Sequence, residues 1–306
     1  MAKTKTNPTV SVIMPVYNAE QFIAAAISSV LGQTFQNFEF IIIDAGSTDH
    51  TEAVLAPFKS RLTIIKTPLT NFGTAINAGL RYSRGRYIAF LDAEDTWEPH
   101  KLELQASYLD THPDAALVYS HSTHSKHISF EGHIFPELVF KDRIDHSTVM
   151  VHRLALEAVG TFNERLKAMA DYDLYLRISQ KFTIGFIPRT LVHQYPRPTH
   201  FDPTTYDNPY HYRHAIYDHL FNDPAALQAL GATKKTLMAD FITAAIYHDL
   251  RGRHPEYIHP KLTALGSYAP WRAKYARALT GLHITSPTAW RRLIKYFRYL
   301  NLDNPA

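Results

Sequence analysis

Residues 87–95 read YIAFLDAED, an apolar run that leads directly into three carboxylates, with a single Ala between the first two. A buried strand that ends in clustered acids concentrates negative charge, which a divalent cation can neutralise. The pattern therefore indicates a metal-bridged diphosphate ligand. The alternative is an acidic loop that only caps the next helix, with Asp95 or Thr96 as the N-cap before Glu98 and Pro99. This stretch alone leaves both interpretations open.

The composition indicates a globular protein with a large apolar core. The chain has 306 residues, of which 45% are hydrophobic, a net charge of +4 and a pI near 9.0. It has no cysteine, which excludes disulfides and zinc–thiolate sites and suits a reducing compartment. No signal-type stretch follows the N-terminus, and no apolar run is long enough to cross a bilayer. We therefore expect a cytoplasmic protein, either soluble or peripheral at the inner face of a membrane.

The first half of the chain alternates short apolar runs with helical patterns. Strands are predicted at 10–15, 38–43, 62–65 and 87–91, and helices at 20–31, 51–58 and 77–83. This order predicts an α/β fold with a mostly parallel sheet flanked by helices. Ligands gather beyond the carboxyl ends of such strands, where residues 15–18, Asp44 and Asp92 lie. We expect these three loops to converge on one crevice.

Several short motifs share the order and spacing of a known family. They are VSVIMPVYNAE at 10–20, QTF at 33–35, FE at 38–39, ID at 43–44, GSTD at 46–49, YIAFLD at 87–92, GTFNE at 160–164 and DYDLYLR at 171–177. With them, the chain resembles family 2 glycosyltransferases with the GT-A fold, a Rossmann-like nucleotide-diphospho-sugar transferase fold. Residues 109–113, 118–120 and 144–147 resemble the branch that includes a spore-coat polysaccharide synthesis protein. We predict a GT-A domain at 1–200 and a helical C-terminal region at 201–306.

The resemblance implies a hexosyltransferase-type enzyme. It would move a sugar from a nucleotide-diphosphate sugar to a saccharide or lipid-linked acceptor, with inversion, in surface polysaccharide or glycolipid synthesis at the cell envelope. Mn²⁺ or Mg²⁺ would act as a Lewis acid on the departing diphosphate. Asp92 and Glu94 are the predicted metal ligands, although the family usually has Asp at the position of Glu94. Asp95 is a neighbouring acid that could take part or cap a helix.

The resemblance also implies a catalytic base, which an inverting transferase needs to accept the proton of the attacking acceptor hydroxyl. The match assigns this role to Asp171, at the positively polarised start of a predicted helix. Taken alone, the local pattern favours an N-cap role for Asp171. Asp173 is expected to support the helix, and Ala170 replaces the Glu that is usual in the family.

The first loops should bind the donor nucleotide. Tyr17 has a flat face suited to stacking on a base, although a core Tyr after a strand is also common. Asp44 can accept from ribose hydroxyls or a base N–H. Ala45 stands where uridine-diphosphate users often have a second Asp. The predicted donor-binding residues are Pro15, Tyr17, Asp44 and Asp92.

The chain departs from the family at four functional positions, namely Ala45, Ile76, Glu94 and Ala170. Ile76 lies in the segment where an Arg near the diphosphate is usual, and Lys66 or Arg81 is a candidate substitute. The departures leave open a catalytically degenerate relative that binds nucleotide sugar or a partner without turnover. The retained acids and Tyr17 favour an active enzyme.

Histidines offer two weaker hypotheses. His146 lies on the expected acceptor side of the crevice, where it would contact acceptor or metal, although a hydrogen-bonded structural His is the commoner case. His121, His124 and His127 recur at every third residue, but that spacing does not align them in a loop after a strand. A metal site there is disfavoured.

Beyond residue 200 the family motifs stop and helical patterns continue, around 212–221, 225–230, 235–250, 271–282 and 288–300. The last is an amphipathic basic helix, suited to peripheral contact with an anionic membrane or to ordinary packing.

A nucleic-acid-binding module is disfavoured because acids line the predicted crevice. A sugar nucleotidyltransferase is disfavoured because residues 15–18 replace the Gly-rich basic phosphate loop of those enzymes.

Overall fold

The computed structural model describes residues 7–125, 129–140, 144–195, 209–252, 258–270 and 273. The chain forms two compact units, Met1–Tyr212 and Arg213–Ala306. The predicted boundary at residue 200 lies outside the described residues and stays a prediction.

The first unit alternates strands and helices. Its strands are β1 (Val10–Val16), β2 (Phe38–Asp44), β3 (Thr63–Lys66), β4 (Tyr87–Phe90), β5 (Thr96–Trp97), β6 (Ala115–Ser122), β7 (Met150–His152) and β8 (Thr183–His193). Its helices are α1 (Ile23–Leu31), α2 (Thr51–Leu55), α3 (Phe72–Tyr82), α4 (Lys101–Thr111), α5 (Phe135–Phe140), α6 (Arg153–Val159) and α7 (Ala170–Lys181). Short 3-10 helices follow α2 (Ala56–Arg61) and precede β7 (His146–Thr148).

The strands form one sheet in the order β3-β2-β1-β4-β7-β6-β8-β5. β1 is parallel to β2 and β4, and β2 is parallel to β3, which confirms the predicted arrangement of the first four strands. β7 runs antiparallel to β4 and β6, and β5 runs antiparallel to β8, so the sheet is mixed beyond β4. Val16 is in register with Asp44, and Asp44 with Lys66. The carboxyl ends of β1, β2 and β3 therefore meet at one edge of the sheet, and β4 lies beside β1.

The central strands are buried along their whole length. β1 and β4 contain only buried residues, as expected for strands that helices cover on both faces. Helix α3 packs close to the sheet because Gly79 has no side chain. A Cβ at that position would lie 2.6 Å from Ile43 Cδ1 and 2.7 Å from Ile13 Cγ2. This close packing fixes α3 against β1 and β2.

Helix α3 begins at Phe72, well before the predicted start at residue 77. Asn71 caps the helix, because its Oδ1 accepts the N–H of Thr74 at 2.9 Å. The short polar side chain of Asn71 stabilises the start of the helix, and Gly73 in the first turn does not prevent it.

The interpretation of the acidic loop as a helix cap is wrong. Thr96 and Trp97 form β5, which pairs with His193 and Val192 of β8. Helix α4 begins only at Lys101. The acids after β4 therefore lie between two strands, and none of them caps α4.

The helices predicted at 212–221, 225–230 and 235–250 are present as α8 (Pro209–Leu220), which crosses the boundary between the units, α9 (Pro224–Leu230) and α10 (Lys234–Gly252). A further helix, α11 (Ile258–Tyr268), was not predicted. The basic amphipathic helix predicted at 288–300 lies outside the described residues, as does the helix predicted at 271–282 apart from residue 273. In the described part of the chain, no helix has the length and apolar character needed to cross a membrane.

Candidate active site

The loops after β1 and β2 are joined through Asn18. Its φ is 49°, and its Oδ1 accepts the N–H of Thr48 at 2.8 Å, while its own N–H donates to Ser47 Oγ at 3.0 Å. Asn tolerates this left-handed conformation better than most residues do. Tyr17 is half-buried next to it, and Pro15 is a buried residue of β1. These contacts hold the Tyr17 segment at the edge of the sheet.

Asp44 ends β2 beside a cavity. Its side chain is 5% exposed, and its Oδ1 accepts the N–H of Ser47 at 2.9 Å, which orients the carboxylate. Lys66 lies across the cavity rim in a 2.7 Å ion pair with Glu52. The hydrogen bond to Glu52, and to a smaller extent the charge of Asp44, raise the pKa of Lys66. The cavity measures about 370 Å³ and is lined by Asp44, Glu52, Leu55, Lys59, Leu62, Ile64 and Lys66.

The acidic loop after β4 is bound to the turn that precedes β7. The N–H of Asp92 donates to Ser147 Oγ at 3.0 Å, and the Ser147 hydroxyl donates to Asp95 Oδ2 at 2.6 Å. Trp97 Nε1 donates to the Ser147 carbonyl at 3.0 Å. Asp92 and Glu94 are half-buried, whereas Asp95 is only 3% exposed. Asp95 therefore anchors the loop, and Asp92 and Glu94 are the more accessible acids.

Negative charge accumulates at this loop. Burial, followed by the charge of Asp92 and a smaller contribution from Glu94, raises the pKa of Asp95 to about 8. A divalent cation would relieve this repulsion, and carboxylate oxygens are the hard ligands that Mg²⁺ and Mn²⁺ prefer. Within the described residues, no three His, Asp or Glu side chains converge to hold a metal by themselves. The residues therefore fit a cation held by two carboxylates, with phosphate oxygens and water completing its shell.

Asp171 lies in the first turn of α7, at the positively polarised end of the helix. Its interpretation as the N-cap is wrong, because Met169, with a left-handed φ of 61°, occupies that position. Asp171 is half-buried, and its Oδ1 accepts the N–H of Tyr172 at 2.9 Å. Asp173 supports the helix as predicted, through a 2.8 Å ion pair with Arg177.

Three of the departures from the family pattern occupy packed positions. Ala45 and Ile76 are completely buried, and Ala170 is 2% exposed. Ala170 lies beside the start of α3, since a Cβ built on Gly73 would lie 3.5 Å from the Cβ of Ala170. All three side chains therefore lie in the interior of the first unit.

His146 is buried in an aromatic cluster. Its ring is 6% exposed, stacks on Phe90 at 4.8 Å and meets Phe72 edge-on at 4.8 Å. Nδ1 is 2.9 Å from the Tyr175 hydroxyl, and Nε2 has no hydrogen-bond partner among the described residues. Burial lowers the pKa of His146 to about 4, against the opposing charge of Asp171. The ring connects β4 with α7, which favours a structural role, and contact with an acceptor stays a prediction.

The other histidines do not form a described metal site. His121 meets the Phe186 ring edge-on at 4.8 Å, and His127 lies outside the described residues. Neither His121 nor His124 belongs to a cluster of three metal-ligating side chains in the part of the chain that the structure describes.

The turn at 145–148, which contains the 3-10 helix His146–Thr148, brings two predicted sets of residues together. Through Ser147 it contacts the acidic loop, and through His146 it contacts the helix that bears Asp171. The sequence predicted both sets but gave no role to Ser147. This residue belongs to the 144–147 stretch that resembles the spore-coat branch, but that resemblance does not connect it with the acidic loop. Its role becomes visible only once β4 and β7 are known to be neighbours.

Residues 11–151 match the family model described as glycosyl transferase family 2. This part of the chain belongs to that family. The family segment therefore includes the acidic loop and Ser147, and Asp171 lies beyond it. The resemblance to the spore-coat branch stays a prediction.

The relatives and the solved structures match different fractions of the chain. An Escherichia coli protein named UDP-Glc:alpha-D-GlcNAc-diphosphoundecaprenol beta-1,3-glucosyltransferase WfgD is 44% identical over 102 residues, which are 33% of this chain and 40% of that protein. Rickettsia glycosyltransferases of 28–35% identity match 61–68% of this chain, which spans only 31–65% of their length.

Two solved structures show the fold. TarS 1–349 of S. aureus, solved in complex with UDP-GlcNAc, is similar with a TM-score of 0.67 at 18% identity, over 95% of this chain and 92% of that solved chain. The mannosyltransferase PcManGT of Pyrobaculum calidifontis, solved with GDP-Man and Mn²⁺, has a TM-score of 0.57 at 16% identity, over 98% of this chain and 86% of that one. The chain has the GT-A fold of these transferases.

Proposed function

We propose that this protein transfers a sugar from a nucleotide-diphosphate sugar to a saccharide or lipid-linked acceptor, with inversion. The observation that carries the proposal is the 145–148 turn, which joins an acidic loop at the end of β4 to the helix that bears Asp171. The family match of residues 11–151 and the lipid-linked acceptor in the name of WfgD support it. The reaction would serve surface polysaccharide or glycolipid synthesis in the cell envelope. Peripheral membrane contact through residues 288–300 stays a prediction.

The donor would occupy the edge of the sheet from β2 to β4. Tyr17 would stack on the base, and Asp44 would accept a base or ribose proton. Asp92 and Glu94 would hold Mn²⁺ or Mg²⁺ against the diphosphate. When bound, the cation would neutralise the charge that develops on the departing diphosphate.

Asp171 would act on the acceptor. An inverting displacement needs a base on the side of the sugar opposite the leaving group, within hydrogen-bond reach of the attacking hydroxyl. Asp171 would accept that proton as the hydroxyl oxygen forms the new glycosidic bond. Asp171 lies in the first turn of α7, at the positively polarised end of that helix.

The cavity beside Asp44 offers the base one acceptor and one donor. With Ala45 in place of a second acid, Asp44 supplies the carboxylate acceptor and Lys66 supplies a cationic donor at the rim. An N–H next to a carbonyl oxygen, as in uracil, thymine and guanine, complements this pair. Cytosine complements it as well, because its amino group donates and its ring nitrogen accepts. The pair would therefore hold the base without choosing among these four bases, and a screen of donors identifies the preferred one.

A thermal-shift screen tests the donor site. Purified protein is heated with uridine, guanosine, thymidine and cytidine diphosphate-sugars, each with Mn²⁺, Mg²⁺ or a chelator. A ligand that binds only the native state raises the melting temperature by mass action. We expect a metal-dependent upward shift with one nucleotide, and the absence of a shift with every donor would contradict the proposal.

The alternative function is nucleotide-sugar binding without turnover. The four departures from the family pattern motivate it. Release of nucleoside diphosphate from the donor identified by the screen, with a saccharide or lipid-linked acceptor present, distinguishes the two functions. A donor that binds but is never cleaved would favour the degenerate protein, and reverting Glu94 and Ala45 to Asp would then be the first test.

A further inference from the structure

We propose that Ser147 is the positioning residue of the donor metal site, because one hydroxyl sets the geometry of the acidic loop. This inference rests on the proposed function. It concerns a residue outside the predicted ligands, which contacts the loop from a distant part of the chain.

The Ser147 hydroxyl uses both of its hydrogen-bonding capacities on this loop. It accepts the N–H of Asp92 at 3.0 Å and donates its only proton to Asp95 Oδ2 at 2.6 Å. A hydroxyl is a donor and an acceptor at once, so one side chain can fix the backbone at the first acid and the carboxylate of the third. Glu94 lies between these two fixed points. The bonds therefore limit where the carboxylates of Asp92 and Glu94 can point.

The turn that presents Ser147 is itself held in place. Trp97 Nε1 donates to the Ser147 carbonyl at 3.0 Å, and Gln105 Nε2 donates to the Thr148 carbonyl at 2.7 Å. Ser147 and Thr148 have no exposed surface. Water therefore has no access to replace a deleted hydroxyl. An alanine at 147 would leave the Asp92 N–H and the Asp95 carboxylate each short of a partner.

Mutation of a residue that orients a metal ligand typically lowers metal affinity or activity by about 10–100-fold. We therefore expect Ser147→Ala to weaken Mn²⁺ binding about 10-fold, measured by the EPR signal of free Mn²⁺ in the presence of a nucleoside diphosphate. Ser147→Thr retains a hydroxyl and should bind Mn²⁺ within about 3-fold of the wild type.

Ser179→Ala is the matched control. Ser179 is 2% exposed, and its hydroxyl donates to the Leu176 carbonyl at 3.0 Å within α7, away from the acidic loop. The control should lose a similar amount of stability with its Mn²⁺ affinity unchanged. Equal Mn²⁺ affinity in Ser147→Ala and wild type would overturn the inference, as would an equal loss in Ser179→Ala.

A second variant covers the case in which Ser147→Ala does not fold. Trp97→Phe keeps an aromatic ring but removes the N–H that holds the Ser147 carbonyl. It should weaken Mn²⁺ binding by a smaller factor, about 3-fold, and unchanged affinity would count against the inference. Failure of the proposed function gives a different result, because wild-type protein would then bind no Mn²⁺ with any nucleotide.

Discussion

The donor side of the crevice and its base side are built by different means. The donor side consists of the loops after β1 and β2, with Tyr17, Asn18 and Asp44, and Asn18 joins the two loops between adjacent parallel strands. The base side consists of the 145–148 turn and α7 with Asp171, and Ser147 joins this side to acids 55 and 52 residues away, across the antiparallel pair of β4 and β7. The donor side therefore depends on one β-α-β unit, whereas the base side depends on the assembled core. Mutations of Asp44 and of Asp171 should have separable effects.

The largest expected effect is on the base side, at Asp171. Asp171→Asn keeps the shape of the side chain but removes the base, so kcat should fall about 1000-fold, within the range for a general base. Donor affinity should stay within about 2-fold of the wild type, because the proposed donor contacts lie on the other side. Steady-state kinetics with calorimetry of donor binding measure both quantities.

Asp173→Asn is the matched control for this prediction. It removes the ion pair with Arg177 in the same helix and should reduce stability while leaving kcat within a few-fold of the wild type. A small loss of kcat in Asp171→Asn, or an equally large loss in Asp173→Asn, would show that Asp171 is not the catalytic base.

The second effect is a pH dependence of stability that originates at His146. Its pKa in the folded protein is about 4, against an ordinary value of 6.5, so the unfolded chain takes up the proton first as the pH falls. The contribution of the neutral ring to stability is therefore complete above pH 6.5 and is lost between pH 6.5 and 4. The loss amounts to about 3 kcal/mol.

Urea unfolding at pH 7.5 and 4.5 measures this loss, with His146→Phe as the comparison. The variant has no titrating ring at 146, so its stability should change less between the two pH values than that of the wild type. His124→Phe, in an exposed turn, is the control and should follow the wild type. An equal loss of stability between pH 7.5 and 4.5 in wild type and in His146→Phe would show that the burial of this ring does not cause the loss of stability at acid pH.

The third effect is on the donor side, at Asp44. Asp44→Asn replaces a charged acceptor with an amide, and a hydrogen bond to a charged group is worth about 1.5–3 kcal/mol. Donor affinity should therefore fall by about 10-fold or more, whereas kcat at saturating donor changes little. Calorimetry with the preferred donor measures the change. A loss of kcat with unchanged affinity would place Asp44 outside the donor site.

The smallest effect is expected at Lys66. Its side chain is 60% exposed, so Lys66→Met should weaken binding of the preferred nucleotide by about 3-fold or less. Arg61→Met, an exposed cation that does not line the cavity, is the control and should bind the nucleotide as the wild type does. An equal loss of affinity in Arg61→Met would show that Lys66 makes no specific contact with the nucleotide.

The same contrast explains how much of the molecule the sequence predicted. The first four strands, their parallel arrangement and the converging loops at Asp44 and Asp92 were predictable, because apolar periodicity and strand ends are local signals. The early start of α3 was missed because Gly73 masks a helix that Asn71 caps. The cap interpretations of Asp95 and Asp171 were wrong, because an acid before a helical pattern looks the same whether it caps a helix or faces a ligand.

Long-range contacts were beyond the reach of the sequence. The burial of His146 and the two bonds of Ser147 depend on β7 lying antiparallel beside β4, which no local pattern indicates. For the same reason the anchoring role of Asp95 became visible only in the structure. The burial of Ala170 and Ile76 likewise became visible only in the structure.

The central claim is that the loops after β1, β2 and β4 form a single donor site. Calorimetric titration of the preferred nucleoside diphosphate into wild type and Asp92→Asn, with Mn²⁺ and with chelator, tests it most directly. We expect Mn²⁺ to tighten binding of the nucleoside diphosphate by about 10-fold or more in the wild type. In Asp92→Asn this effect of Mn²⁺ should disappear, whereas the affinity measured with chelator, which depends on Asp44, should remain. Equal affinity with Mn²⁺ and with chelator in the wild type would show that the three loops do not form a single donor site.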